Sequence, residues 1–217
     1  MVVLLAAPVL FALADPKGSL GKIQSRQYFF KEANANISYA LYVPSGYNKE
    51  KKTPLLVVLH GLFGNPLQMI RTDGLVQQAE KHGFIVVCPM GYNETGWYGS
   101  RGPGQMFPFG PQNHGALSEQ DVMNVVGIVR REFNVDPKCI YLSGHSMGGA
   151  GTFYLAAKHR NLWAGLAPVA PALHYPGIRR DLEAIRHLPV ILVQGDGDWL
   201  CPAKHAKKCA RKMLQLK

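Results

Sequence analysis

Residues 139–157 decide the fold: Cys139-Ile140-Tyr141-Leu142-Ser143-Gly144-His145-Ser146-Met147-Gly148-Gly149-Ala150-Gly151-Thr152-Phe153-Tyr154-Leu155-Ala156-Ala157. Cys139 to Leu142 is a short apolar run of strand type, Gly144 to Gly148 matches G-x-S-x-G, and the residues that follow have helical character. The five-residue pattern alone is a weak signal. Its setting is specific, because a serine in a sharp strand-to-helix turn stands clear of the sheet, near the positive end of the next helix. Side chains two residues to either side of Ser146 would collide with the neighbouring strand and helix, which accounts for Gly144 and Gly148. Ser146 is therefore the candidate nucleophile, against the plain alternative of a glycine-rich turn with an idle serine.

Outward from this turn, Leu55 to Leu59, Phe84 to Cys88 and Val190 to Val193 are further short apolar runs, as expected of parallel strands covered on both faces. Trp163 to Val169 is a weaker run of the same kind. Ile37 to Val43 alternates like an antiparallel strand and ends at Pro44-Ser45-Gly46. Between the runs, Asp73 can cap a helix ending at Gly83. Ser118-Glu119-Gln120-Asp121 opens another by capping-box logic, with Val122, Val125, Val126 and Val129 as its apolar face. This alternation predicts an α/β fold, with a mainly parallel sheet and helices on both faces. No repeat or linker splits the chain, so residues 15–217 read as one domain.

Three loops leave the carboxyl ends of these strands. His60-Gly61-Leu62-Phe63-Gly64 is placed to give one backbone donor of an oxyanion hole, assigned to the Leu62 N–H with the Met147 N–H as the second. His60 itself reads as a residue that holds the turn. The stretch 90–117, MGYNETGWYGSRGPGQMFPFGPQNHGAL, is too long for an ordinary connection. Its Trp97, Tyr98, Phe107 and Phe109 are candidates for a substrate wall or for a miniature core that staples the loop. In Gln194-Gly195-Asp196-Gly197-Asp198-Trp199-Leu200-Cys201-Pro202, an acid follows a late strand, as the order serine, acid, histidine requires. Asp198 is the favoured acid, and Asp196 reads as a turn residue.

Composition narrows the class. The 217 residues are 47% hydrophobic, enough for one buried core, and carry a formal charge of +10. The Lys and Arg residues are scattered without interleaved aromatics, which argues against a nucleic-acid partner, and Lys204 to Lys217 reads as the solvated face of a terminal helix. Residues 1–14, MVVLLAAPVLFALA, form an apolar run ending in Ala-Leu-Ala, read as a signal peptide that implies a secreted or periplasmic protein. The run is too short for stable membrane insertion. Its lack of Lys or Arg leaves a buried N-terminal strand or a trimmed start as alternatives. The four cysteines suggest no disulfide framework. Cys201 and Cys209 stand eight apart across a helix start, roughly 12 Å if helical. No CxxC pair or HExxH spacing points to a metal, and no cofactor is called for.

The run from about Ile37 to Pro202 resembles the α/β-hydrolase superfamily, and most closely its secreted branch of feruloyl-esterase, acetylxylan-esterase and polyhydroxybutyrate-depolymerase-like enzymes. The resemblance rests on His60-Gly61-x-x-Gly64, Gly144-His145-Ser146-Met147-Gly148-Gly149 and Gly195-x-x-Asp198-x-x-Cys201-Pro202, where the family more often has Val before Pro. It implies a serine hydrolase of small-molecule or polymer carboxylic esters, with Asp198 as the acid. A peptidase of the prolyl-oligopeptidase kind and a non-catalytic remnant of the fold are the alternatives. The histidine departs from the family pattern. Seven of the eight histidines precede Asp198 and only His205 follows it, on the helix that Pro202 opens. The family places its base after a further helix and strand, so the chain is expected to lack the C-terminal strand and histidine loop, unless His205 is the base. Oligomeric state is not legible.

Overall fold

The computed structural model describes residues 19–104, 111–178 and 180–216. Its centre is a six-stranded sheet with the spatial order β1-β2-β4-β3-β5-β6. The strands β3 (Thr53–Leu59), β4 (Ile85–Pro89), β5 (Val135–His145) and β6 (Gly165–Val169) are parallel. β1 (Ile23–Phe30) and β2 (Ala35–Tyr42) complete one edge in antiparallel pairing. The alternation of side chains along the strands divides the core into two. Leu55, Val57, Leu59 and Leu142 pack on one face with Val122, Val125 and Phe153, while Val58, Val86 and Cys88 pack on the other with Ile70 and Ala79. Helices α3 (His114–Glu132) and α4 (Met147–Lys158) thus cover the first face, and α1 (Pro66–Ile70) and α2 (Leu75–His82) the second.

Three local expectations change, and one strand is unforeseen. β1 has no apolar run, because as an edge strand it mixes exposed polar residues with half-buried ones. Val190 to Val193 is not a covered strand. It follows the edge of β6 through single bridges from Val190 to Leu166 and Val193 to Val169, and leaves Ile191 71% and Val193 51% exposed. α2 stops at Gly83, whose φ of 70° suits glycine, but it starts at Gly74 with no side-chain cap, so Asp73 has no capping part. α3 begins at His114, four residues before the expected start. Ser118, Glu119 and Asp121 are buried within it, because they bond to distant segments and not to their own helix end.

Pro202 opens α5 (Ala203–Gln215) as expected. This helix buries Ala203, Ala206, Cys209 and Met213 and turns Lys204, Lys207, Lys208, Arg211 and Lys212 to solvent. All four cysteines are free. No helix among the described residues is long and apolar enough to cross a membrane.

Glu119 ties α3 to α4 through bonds from Tyr154 Oη at 2.9 Å, Lys158 Nζ at 2.8 Å and His159 Nε2 at 2.9 Å. Burial pushes its pKa up, but the bonds from His159, Lys158 and Tyr154 outweigh burial and hold it below the ordinary value. A carboxylate with a depressed folded pKa stabilises the fold above the unfolded pKa and loses that contribution as pH falls through the folded value. Glu119→Gln is therefore expected to cost about 1–3 kcal/mol at pH 7 in urea unfolding, with the difference from wild type shrinking below about pH 4.

Candidate active site

β5 delivers the chain to Ser146, whose backbone lies at φ 55° and ψ −112°, a strained left-handed conformation immediately before α4. Neighbouring backbone holds it there. The Ser146 N–H donates to Val169 O at 3.0 Å, and its carbonyl accepts from Ala150 N at 3.1 Å and Ala172 N at 3.0 Å. A Cβ on Gly144 would strike Gly148, and one on Gly148 would strike the Leu59 and His60 carbonyls, so β3, β5 and α4 meet more closely than side chains allow. The serine is half-buried, with its hydroxyl 3.8 Å from Cys201 Sγ.

The loop after β3 lies alongside. Gly61 packs against Ser146, and a Cβ there would stand 3.6 Å from the serine Cβ. Phe63, at φ 61°, donates its N–H to Glu94 O at 3.0 Å, and the Gly64 N–H returns to Gly61 O at 3.0 Å. Among the described residues, neither the Leu62 N–H nor the Met147 N–H donates to a protein acceptor. Both amides are free to receive a developing negative charge.

Tyr98, a candidate for the substrate wall, is fully buried. Its ring fills the space that side chains on Gly91 and Gly151 would need, and its hydroxyl donates to His60 O at 3.1 Å. It therefore staples the loop to the body and offers no surface to a ligand. Its N–H donates to Ser118 Oγ at 3.0 Å, a bond that explains the buried serine of α3. Trp97 is also buried, at 5.0 Å edge to face with the half-exposed ring of Tyr175 and under the Arg101 guanidinium. Phe107 and Phe109 lie outside the described residues.

Asp198 folds back on its own loop. It accepts the Cys201 N–H at 2.7 Å and Gln194 Nε2 at 3.1 Å. The Cys201 N–H is the main cause, with Gln194, the Leu200 N–H and His145 assisting, of a carboxyl held below its ordinary pKa. It is thus ionised at neutral pH. Asp196 instead points outward to Lys207 Nζ at 2.7 Å, both side chains being largely exposed. His205 stands 5.8 Å ring to ring from His174 and makes no hydrogen bond to Ser146 or Asp198. Among the described residues no imidazole reaches the serine hydroxyl, and no cluster of three or more His, Cys, Asp or Glu could hold a metal.

A family model of esterases matches residues 31–200. The chain belongs to the Esterase family. Among curated proteins, the chain is 30% identical over 168 residues to a bifunctional acetylxylan esterase/xylanase of Neocallimastix patriciarum, covering 77% of the chain and 22% of that protein. It is 31% identical over 128 residues to feruloyl esterase B of Piromyces equi, covering 58% of the chain and 22% of that protein. The chain thus spans about a fifth of each relative. A solved ferulic acid esterase of Anaeromyces mucronatus in complex with ferulic acid superposes with TM-score 0.67 at 17% identity, over 90% of this chain and 79% of that one. The fold of the chain is accordingly that of the α/β-hydrolases, as its motifs imply.

Sequence reading missed the contact between Ser146 and Cys201, although the cysteine stands where the family pattern departs. Burial raises the pKa of this thiol, so it stays neutral beside the serine. Gln194, which bonds Asp198 and also Cys201 O at 2.9 Å, was missed as well. A glutamine next to a strand end carries no signal of such a role.

Proposed function

We propose that the chain is a serine-dependent hydrolase of carboxylic esters. The observation that carries this reading is the strained Ser146 at the head of α4, flanked by two unengaged amides. The Ser146 hydroxyl attacks the ester carbonyl, its proton passes to an imidazole, and the Leu62 and Met147 N–H groups take the oxyanion. The same imidazole then protonates the departing alcohol, and water hydrolyses the acyl-serine. Asp198 is the carboxylate that orients the imidazole. Acetylxylan and feruloyl esters are the first substrates to try, because relatives carry those names.

Among the described residues no imidazole hydrogen-bonds the Ser146 hydroxyl, so the 217-residue chain is expected to be a weak catalyst. Turnover of short-chain p-nitrophenyl esters should stay near the residual roughly 10³–10⁴-fold over water that serine enzymes keep without a triad member. His205→Ala should leave that rate unchanged. Full activity that His205→Ala abolishes would make His205 the base.

Export is part of the same proposal, supported by the apolar run and Ala-Leu-Ala of residues 1–14, which lie outside the described residues. N-terminal sequencing of protein collected outside the cytoplasm should begin at Asp15. Protein retained in the cytoplasm with its N-terminus intact would refute it.

A further inference from the structure

His60 is 2% exposed, and both its ring nitrogens face carbonyl oxygens: Nδ1 lies 2.8 Å from Gly61 O and Nε2 lies 2.7 Å from Met90 O. A carbonyl oxygen only accepts, so each contact needs an N–H on the ring, and a neutral imidazole has one. A neutral ring would set a nitrogen lone pair against a carbonyl lone pair at hydrogen-bond distance in a site closed to bulk water.

The peptide unit that joins Met90 to Gly91 connects this ring to an opposite charge. Its carbonyl accepts from His60, and its N–H, that of Gly91, donates to Asp121 Oδ2 at 2.6 Å. Asp121 also accepts the Tyr92 N–H at 3.1 Å and the Tyr28 hydroxyl at 2.5 Å. Three donors and no acceptor fit a carboxylate. On the other side, the Gly61 carbonyl belongs to the peptide whose N–H is that of Leu62, an amide of the proposed oxyanion hole.

We infer that His60 is held as an imidazolium in the folded protein, paired with the Asp121 carboxylate through the Met90–Gly91 peptide, and that it polarises the Leu62 N–H toward an oxyanion. His60 is then a positioning residue, and this last consequence rests on the ester-hydrolase reading. Aligned hydrogen bonds strengthen one another, so two polarised peptides carry the effect from Asp121 to Leu62. The other groups facing the ring are Glu94 and Tyr98 from the loop after β4, and the exposed His145 of β5 across Gly61. Burial lowers the His60 pKa against the raising effects of Gly61, Met90 and Glu94, with a net below the ordinary value. Burial likewise raises the Asp121 carboxyl against the lowering bonds from the Tyr28 hydroxyl and the Tyr92 and Gly91 N–H groups, and on this inference the pairing through the peptide keeps both groups charged.

Nitrogen NMR on histidine-labelled protein tests the pair without any substrate, so its outcome is separate from the fate of the ester-hydrolase reading. His60, assigned by the signal lost in His60→Gln, should show protons on both Nδ1 and Nε2 at pH 7.5. Asp121→Asn should lower its titration midpoint by at least about one pH unit, a tenfold loss of proton affinity. Tyr28→Phe removes one bond to Asp121 and keeps its charge, so both N–H signals should remain. A singly protonated His60 in the wild-type protein at pH 7.5 overturns the inference, and it does so even if a variant fails to fold. An unshifted His60 in folded Asp121→Asn overturns the pairing with Asp121.

Discussion

In any form of the protein that turns over p-nitrophenyl acetate at an enzymatic rate, Ser146→Ala is expected to leave at most the residual roughly 10³–10⁴-fold over water that binding and the oxyanion hole supply. The serine hydroxyl is the proposed acyl acceptor, and the Cys201 thiol 3.8 Å from it is kept neutral by burial. In a comparable serine protease, loss of the nucleophile costs about 2 × 10⁶ in kcat. The substitution should leave the fold intact, because Ser146 is fixed by its backbone bonds to Val169, Ala150 and Ala172 and not by its hydroxyl. Its far-ultraviolet circular dichroism and thermal midpoint should stay close to wild type, which separates lost chemistry from lost structure. Turnover at the wild-type rate in a folded variant would remove Ser146 from the mechanism.

The second large effect concerns the acid. Asp198→Asn in the same active protein should lower kcat by roughly 10⁴, the loss seen when a triad carboxylate becomes an amide and the histidine loses its tautomer and its counter-charge. Asp196→Asn should change kcat by less than about threefold, since it breaks only an exposed ion pair with Lys207. The two aspartates stand two residues apart, so the comparison controls for loop perturbation. It also has a pH signature. The Cys201 N–H holds the Asp198 carboxyl below its ordinary pKa, so ionisation of Asp198 should not limit the rate above about pH 5. Equal losses in both variants, or a larger one for Asp196→Asn, would move the acid.

What the sequence discloses about this site is what backbone geometry demands. Gly144 and Gly148 are legible because no side chain fits where β3, β5 and α4 meet, and the strand before them is legible because it is covered on both faces. The proposal of Asp198 rests on its place after a late apolar run. Ser118 and Asp121 mislead for a physical reason. The oxygen atoms that would cap a helix end also suit anchoring the loop of residues 90–104, and only the tertiary structure chooses between the two. Tyr98 presents a similar ambiguity, since an aromatic in a glycine-rich loop can line a pocket or fill a core. β1 escapes notice because half its side chains meet solvent, and the run 190–193 looks more buried than it is because its apolar residues include the exposed Ile191 and Val193. The closeness of Cys201 to Ser146 spans 55 positions of chain and has no local signature.

Covalent labelling tests the nucleophile most directly, because it reports the reacting atom and not the rate of a whole cycle. The active protein would be treated with a fluorophosphonate, digested, and mapped by mass spectrometry. A single adduct on Ser146, absent after denaturation and absent in Ser146→Ala, is the expected result. An adduct on any other residue, or an unmodified Ser146 in protein that hydrolyses esters, would contradict the assignment.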